Sequence, residues 1–211
     1  MTTQLNRRGR PRKSDGPDTR ERLLAAALDL FAAQGFAATS VRQIAEAVGV
    51  RDSAIYGHFE GKQAILDVLM ERAGPGVLKL SGFDPSSMAA TPPDKALPGL
   101  FGRIVAHWAE PEVRKFTSML LRDGAAGAGQ AIDTVVQRLT PLFSAWQSSG
   151  HFDVRFDAEW LAWEAIAPLA TIRLTLMGSA ASSNDMARAH QMAERHVAHF
   201  LAVHLKSGVP S

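Results

Sequence analysis

Apolar residues in this chain recur at three- and four-residue spacing, and the runs close at glycines, prolines or helix-capping side chains. That punctuated rhythm commits the chain to helices. No segment shows convincing strand alternation, and no repeat recurs. The first run spans Pro17–Gln34, with Leu23, Ala27, Leu30 and Phe31 on one face. Asp18 or Thr19 can cap its start, Glu21 sits in its first turn, and Gly35 stops it. A second helix begins at Thr39 or Ser40, where Ser40 and Gln43 have capping-box spacing. Val41, Ile44, Ala45 and Val48 form its apolar stripe, and Gly49 ends it. The pattern predicts a third short helix over 52–59. Gly61 separates it from a fourth, which carries Ile65, Leu66, Leu69 and Met70.

From Gly74 the composition changes. GPGVLKLSGFDPSSMAATPPDK is rich in Gly, Pro and Ser and reads as a linker or loop. Longer helices are predicted after it, over 94–109, 111–123, 128–149, 157–179 and 184–206. Asp157 and Asn184 are the expected N-caps of the last two. Pro98 and Pro168 should kink or locally break their helices. The expected fold is all-α: a basic arm over 1–16, a three-helix helix-turn-helix domain over 17–72, and a larger helical domain over 73–211.

Composition narrows the function. The 211 residues include no cysteine, which excludes disulfides, thiolate metal sites and a cysteine nucleophile. Hydrophobic residues at 46% and charged residues at 21% match a globular chain and exclude wholesale disorder. Glu164, Pro168 and Arg173 interrupt the most apolar stretch, so no membrane helix is expected. The N-terminus is basic and lacks an apolar h-region, which makes the cytoplasm the default compartment. No Gly-rich phosphate loop, metal constellation or Ser-His-Asp order can be placed, so catalysis is not expected, nor is a cofactor or metal. His196 and His199 share a helix face but lack a third ligand at suitable spacing.

Charge is unevenly spread. Net charge is only +2, yet Arg7, Arg8, Arg10, Arg12 and Lys13 precede any acid. Such a block favours polyanions. Arg8-Gly9-Arg10-Pro11 has the form of an AT-hook core, whose arginines enter a narrow A·T minor groove. The alternative is an arm that touches phosphates non-specifically; both add salt-dependent affinity. The turn Ala47-Val48-Gly49-Val50, with Gly49 suited to a left-handed backbone, joins two short helices as in a helix-turn-helix. The third helix would then enter the DNA major groove.

The stretch TRERLLAAALDLFAAQGFAATSVRQIAEAVGVRDSAIYGHFEGKQAILDVLMER resembles the N-terminal domain of the TetR family of bacterial transcriptional regulators. Its sequential motifs are LFAAQGF, TSVRQIAEAVGV and AIYGHFEGKQAIL, and the match covers about residues 18–72. The resemblance implies a homodimer on a palindromic double-stranded DNA operator. It also implies a C-terminal domain that binds a small-molecule effector and thereby releases DNA. By the same resemblance, Tyr56, His58 and Lys62 match phosphate- or base-contacting positions, Lys62 standing at a helix N-terminus. Thr39 and Ser40 offer hydroxyls for capping and phosphate, and Arg42 can take guanine bidentately. Arg51, Ser53 and Ala54 lie at the tip of the recognition helix, where Ser53 can bond a base edge and Ala54 can meet a thymine methyl. Tyr56 as a core residue, His58 as bundle packing and Lys62 as an ordinary surface lysine are the alternatives. Two positions depart from the family pattern. Asp52 stands where Ser or Thr often caps the recognition helix, and is the expected cap; the alternative is a carboxylate that accepts from a cytosine amine. Gly57 replaces a residue that is often aromatic.

In the C-terminal region the 157–179 helix is apolar nearly all round, and the last helix carries a stripe of Ala189, Ala193, Val197 and Phe200. By the resemblance this pair, with Ile172 and Leu176, forms a four-helix bundle with its symmetry mate; packing within one subunit is the alternative. Candidate effector contacts are Trp108, Phe116, Leu120, Phe143, Trp146 and Trp163, each alternatively ordinary core. Glu164, a carboxylate amid apolar residues, either orients a ligand or pairs with Arg173 or another interface residue. The functional expectation is a ligand-responsive DNA-binding repressor, with an architectural DNA-binding protein as the alternative.

Overall fold

The structure, a computed structural model, describes residues 17–73, 84–122 and 128–206. Among them the chain forms α1 (Pro17–Gln34), α2 (Val41–Val48), α3 (Asp52–Ile55), α4 (Lys62–Ala73), α5 (Pro85–Ala89), α6 (Pro93–Trp108), α7 (Pro111–Arg122), α8 (Ala128–Ser148), α9 (Ala158–Leu176) and α10 (Ser183–His204). The described residues contain no named strand; one isolated antiparallel bridge pairs Phe152 with Leu205. The fold is all-α, with an N-terminal helix-turn-helix domain and a larger C-terminal helical domain.

Local chemistry explains several helix ends. Ser40 caps α2 with a full capping box: its hydroxyl accepts from the Gln43 amide, and the Gln43 side chain accepts from the Ser40 amide at 2.8 Å. Gly49 ends α2 at φ 76°, a left-handed conformation that costs glycine nothing. Asp157 caps α9 through the Trp160 amide at 2.9 Å. Two expected caps are corrected. Ser182, not Asn184, caps α10, because only Ser182 has an acceptor three residues on, in Asp185, to complete a reciprocal pair. Asp52 does not cap α3. It is the first helical residue, Arg51 holds the cap position, and no side chain bonds there. The third helix is also shorter than expected: turns carry the chain from Tyr56 to Phe59. α6 and α9 continue through Pro98 and Pro168 rather than breaking there. Each proline forfeits one backbone bond, and burial of the flanking apolar residues sustains the rest.

Two apolar cores organise the chain. The first joins Leu23, Leu24, Ala27 and Phe31 of α1 to Ile44 and Val48 of α2, Ile55, Phe59, and Ile65 and Leu69 of α4. It does not stop at residue 72, because α7 completes it with Val113, Phe116, Met119 and Leu120. An ion pair from Lys115 to Asp29 and a bond from Arg122 Nε to the Ala32 carbonyl at 3.1 Å fasten α7 along α1. The second core packs α6, α8, α9 and α10 around the rings of Phe143, Trp146, Phe152 and Phe200, whose neighbouring centroids lie 5.5–6.0 Å apart. The Trp146 indole donates to the Thr91 carbonyl at 2.9 Å, which satisfies its buried N–H. Trp108, at the end of α6, packs against both cores.

Candidate nucleic-acid interface and effector region

The α2–turn–α3 unit is held from behind. Arg22 of α1 donates to the Val48 carbonyl at 2.6 Å, satisfying one orphan acceptor at the end of α2. Ile55 and Phe59, four residues apart, are buried in the first core, with the Arg20 guanidinium 5.0 Å from the Phe59 ring. Those two anchors fix the orientation of the short recognition segment. Arg51, Asp52, Ser53, Tyr56 and Gly57 are thereby left exposed, with Ala54 and His58 half-buried. Tyr56 is 63% exposed, so it is not a core tyrosine. Arg42 projects from α2 into solvent and bonds Glu46 one turn on, at 2.8 Å. Ser40, Arg42, Arg51, Ser53 and Tyr56 are all exposed to solvent.

Two residues sit differently. Thr39 is buried; its hydroxyl donates to the Gly35 carbonyl at 2.8 Å and accepts from Gln34 at 3.1 Å. It closes the α1–α2 turn rather than facing outward. The Lys62 ammonium turns away from solvent into that same turn. It donates to the carbonyls of Phe36 at 2.6 Å and Thr39 at 2.7 Å, and lies 4.2 Å from the centre of the Phe36 ring. Arg8 and Arg10 lie outside the described residues.

In the larger domain the expected effector contacts scatter. Phe116 and Leu120 belong to the first core, and Phe143 and Trp146 are fully packed within the second. Trp163 lies on the surface, 41% exposed, stacked on Trp160 at 5.0 Å and 15°. Glu164 faces His204 (Oε2–Nε2 3.2 Å); no bond to Arg173 joins it. Arg173 instead runs inward, donating from Nε to the Thr117 hydroxyl at 3.0 Å with its guanidinium 5.2 Å from the Trp108 ring centre. Burial lowers its pKa to about 10.

The α10 stripe faces inward as well. Ala189, Ala193, Val197 and Phe200 are buried within the subunit, as is Ile172, and Leu176 is half-buried. The large apolar side chains left exposed on α9 and α10 are Trp160, Trp163, Met192 and Val203. A shallow depression beside them is lined by Trp163, Glu164, Pro168, Met192 and His196.

Sequence reasoning missed the cationic clamp near the start of α7. Arg114 donates to the carbonyls of Gly178, Ser179 and Ala181 at 3.1, 3.2 and 2.6 Å, and the Ser118 hydroxyl lies 2.9 Å from that of Ser179. These bonds hold the α9–α10 turn against α7. The partners are some sixty residues apart in sequence, and no local pattern announces them. No helix among the described residues is long and apolar enough to cross a membrane.

Residues 23–69 match the model of the bacterial regulatory proteins of the tetR family. Over 158 residues the chain is 26% identical to the HTH-type transcriptional regulator SrpR of Pseudomonas putida, an alignment that covers 69% of each chain. The fold is similar to that of SmeT, the repressor of the Stenotrophomonas maltophilia multidrug efflux pump SmeDEF. The TM-score is 0.68 at 19% identity, over 92% of this chain and 93% of that one. The SmeT–triclosan complex gives a TM-score of 0.69 at 19% identity, over 92% and 95%.

Proposed function

This chain is a transcriptional regulator of the tetR family, and from that premise we propose that it is a cytoplasmic repressor. It binds a palindromic operator as a homodimer and leaves it when a small, largely apolar effector binds. The observation that carries the DNA-binding role is the division of labour in the recognition segment. Ile55 and Phe59 are buried as anchors, while Arg51, Ser53 and Tyr56 are exposed, as are Ser40 and Arg42 of α2. Such an arrangement offers guanidinium groups and hydroxyls to base edges and phosphates. A repressor that binds a small molecule is supported by SmeT, a repressor of similar fold whose complex with triclosan is known.

For the dimer, the stacked Trp160 and Trp163 with Met192 and Val203 are the apolar surface that burial against a second copy would cover. This replaces the inward stripe of α10 as the contact surface. Ile172 lines the depression beside it.

Fluorescence anisotropy on the DNA upstream of the protein's own coding sequence, at two salt concentrations, tests the proposal. The expected result is sequence-selective binding that Arg42→Ala and Tyr56→Phe each weaken by about tenfold, the scale of one charge-assisted contact. Binding without sequence preference, unchanged in both variants, favours an architectural DNA-binding protein instead.

A further inference from the structure

α6 contains a glycine that its own packing does not require. Gly102 sits mid-helix, where glycine is less favourable than alanine, yet a Cβ built there meets no atom within 4 Å. The space it leaves open belongs to a cavity of about 370 Å³ between α6 and α10. Phe101, Gly102 and Val105 face Ala193, Val197 and Leu201 across it. Its volume lies in the range of small-molecule sites.

Two polar groups complete the lining, His190 and Glu194, one turn apart on α10 and both exposed. The His190 Nδ1 lies 2.8 Å from the Met186 carbonyl, which fixes the ring. A carboxylate beside apolar walls complements a ligand with an apolar body and one positive charge.

The cavity also lies apart from the surface assigned to the second copy. With about 3.6 residues per turn, Met192, His196 and Val203 occupy one side of α10, and His190, Glu194 and Leu201 the opposite side. A dimer built on the first side leaves the second open.

We infer that the α6–α10 cavity, held open by Gly102 and flanked by Glu194, is a binding site for an amphiphilic monocation, an apolar amine or ammonium compound. As the site of the effector it rests on the regulator reading; as a binding site it does not.

Calorimetry on the full chain with 4-phenylbutylamine, 4-phenylbutan-1-ol and 4-phenylbutyrate tests the inference, because these probes share one body and differ in charge. The amine should bind about three- to fivefold more tightly than the alcohol, the size of an exposed ion pair, and the carboxylate most weakly. Glu194→Gln should bring amine and alcohol to equal affinity. Gly102→Leu should weaken all three at least about tenfold while melting no lower than the parent chain. Gly102→Ala, which only restores helix propensity, should raise the melting temperature. Met192→Ala, on the opposite side of α10, should bind all three as the parent does.

Amine binding undiminished in Gly102→Leu, equal affinity for the three head groups, or no binding of any of them each overturns the inference. Operator binding, read in parallel, separates the two readings. If DNA binds selectively and the amine does not, the cavity assignment alone falls. If the amine binds through Gly102 and DNA is ignored, the regulator reading falls and the site stands.

Discussion

Replacing Lys62 by glutamine separates two jobs that one lysine can do. A lysine facing phosphate contributes to DNA affinity and little to folding. A lysine turned inward does the reverse. In the structure its ammonium holds the Phe36 and Thr39 carbonyls at 2.6 and 2.7 Å and covers the Phe36 ring. Each hydrogen bond to a charged group is worth about 1.5–3 kcal/mol, and the ring contact adds about 0.5–1. The site is half-buried, so water recovers part of this when the ammonium is removed. The expected net loss is about 2–3 kcal/mol. For a chain of this size about 1 kcal/mol moves the melting temperature by about 2–4 °C, so Lys62→Gln should melt about 4–12 °C lower. Calorimetry measures that shift. Operator titrations against salt supply the second reading: the logarithmic salt slope should stay within about half a unit of the parent value, because no phosphate contact is lost. An unchanged melting temperature with a slope shallower by about one unit would refute the reasoning and return Lys62 to the DNA.

Three other perturbations probe the framework. Phe116→Ala and Phe143→Ala should each cost about 3–5 kcal/mol. Hydrogen exchange should locate the first loss in α1–α4 and α7 and the second in α6 and α8–α10; loss of protection confined to the same helices in both variants would contradict two separate cores. Gly49→Ala forces a Cβ into a left-handed conformation at φ 76° and should cost about 1–2 kcal/mol in denaturant unfolding, although the space around it is open. Hydrogen bonds from Arg155 hold the Asp153 carboxyl at about 2, below its ordinary value of 3.8. A lowered carboxyl pKa stabilises the fold above the unfolded value, and that stability is lost as pH falls from 3.8 toward 2. Asp153→Asn should flatten the stability profile across that window and leave the slope between pH 5 and 7 unchanged.

The helices were legible in the sequence because their determinants are local. Ser40 and Gln43 lie three residues apart, Gly49 follows at once, and the apolar stripes repeat within a turn or two. The exposed side of α2 and the turn was legible for the same reason: the motif is continuous, and its outward residues follow once Ile55 and Phe59 are inward. The inward turn of Lys62 was not legible, because its partners lie on another turn, at Phe36 and Thr39, and helix-start position alone cannot reveal them. The α10 stripe posed a different problem. Periodicity shows that Ala189, Ala193, Val197 and Phe200 share a face, but not whether that face meets its own subunit or another. The answer depends on α6 and α9, which fill it first. Asp52 failed as a cap for a subtler reason: Arg51 already occupies the cap position with extended backbone, which places Asp52 one step inside the helix.

The double allegiance of α7 bears on how such proteins can be recombined. One edge of this helix seals the floor beneath the recognition unit, and Arg114 and Ser118 grip the turn between the last two helices. A crossover or an engineered graft that takes α1–α4 from one parent and everything downstream from another delivers a helix shaped for a different floor. The module that can be exchanged is therefore discontinuous. It comprises α1–α4 together with the inner face of α7, and the splice succeeds only if Val113, Phe116, Met119 and Leu120 travel with α1–α4.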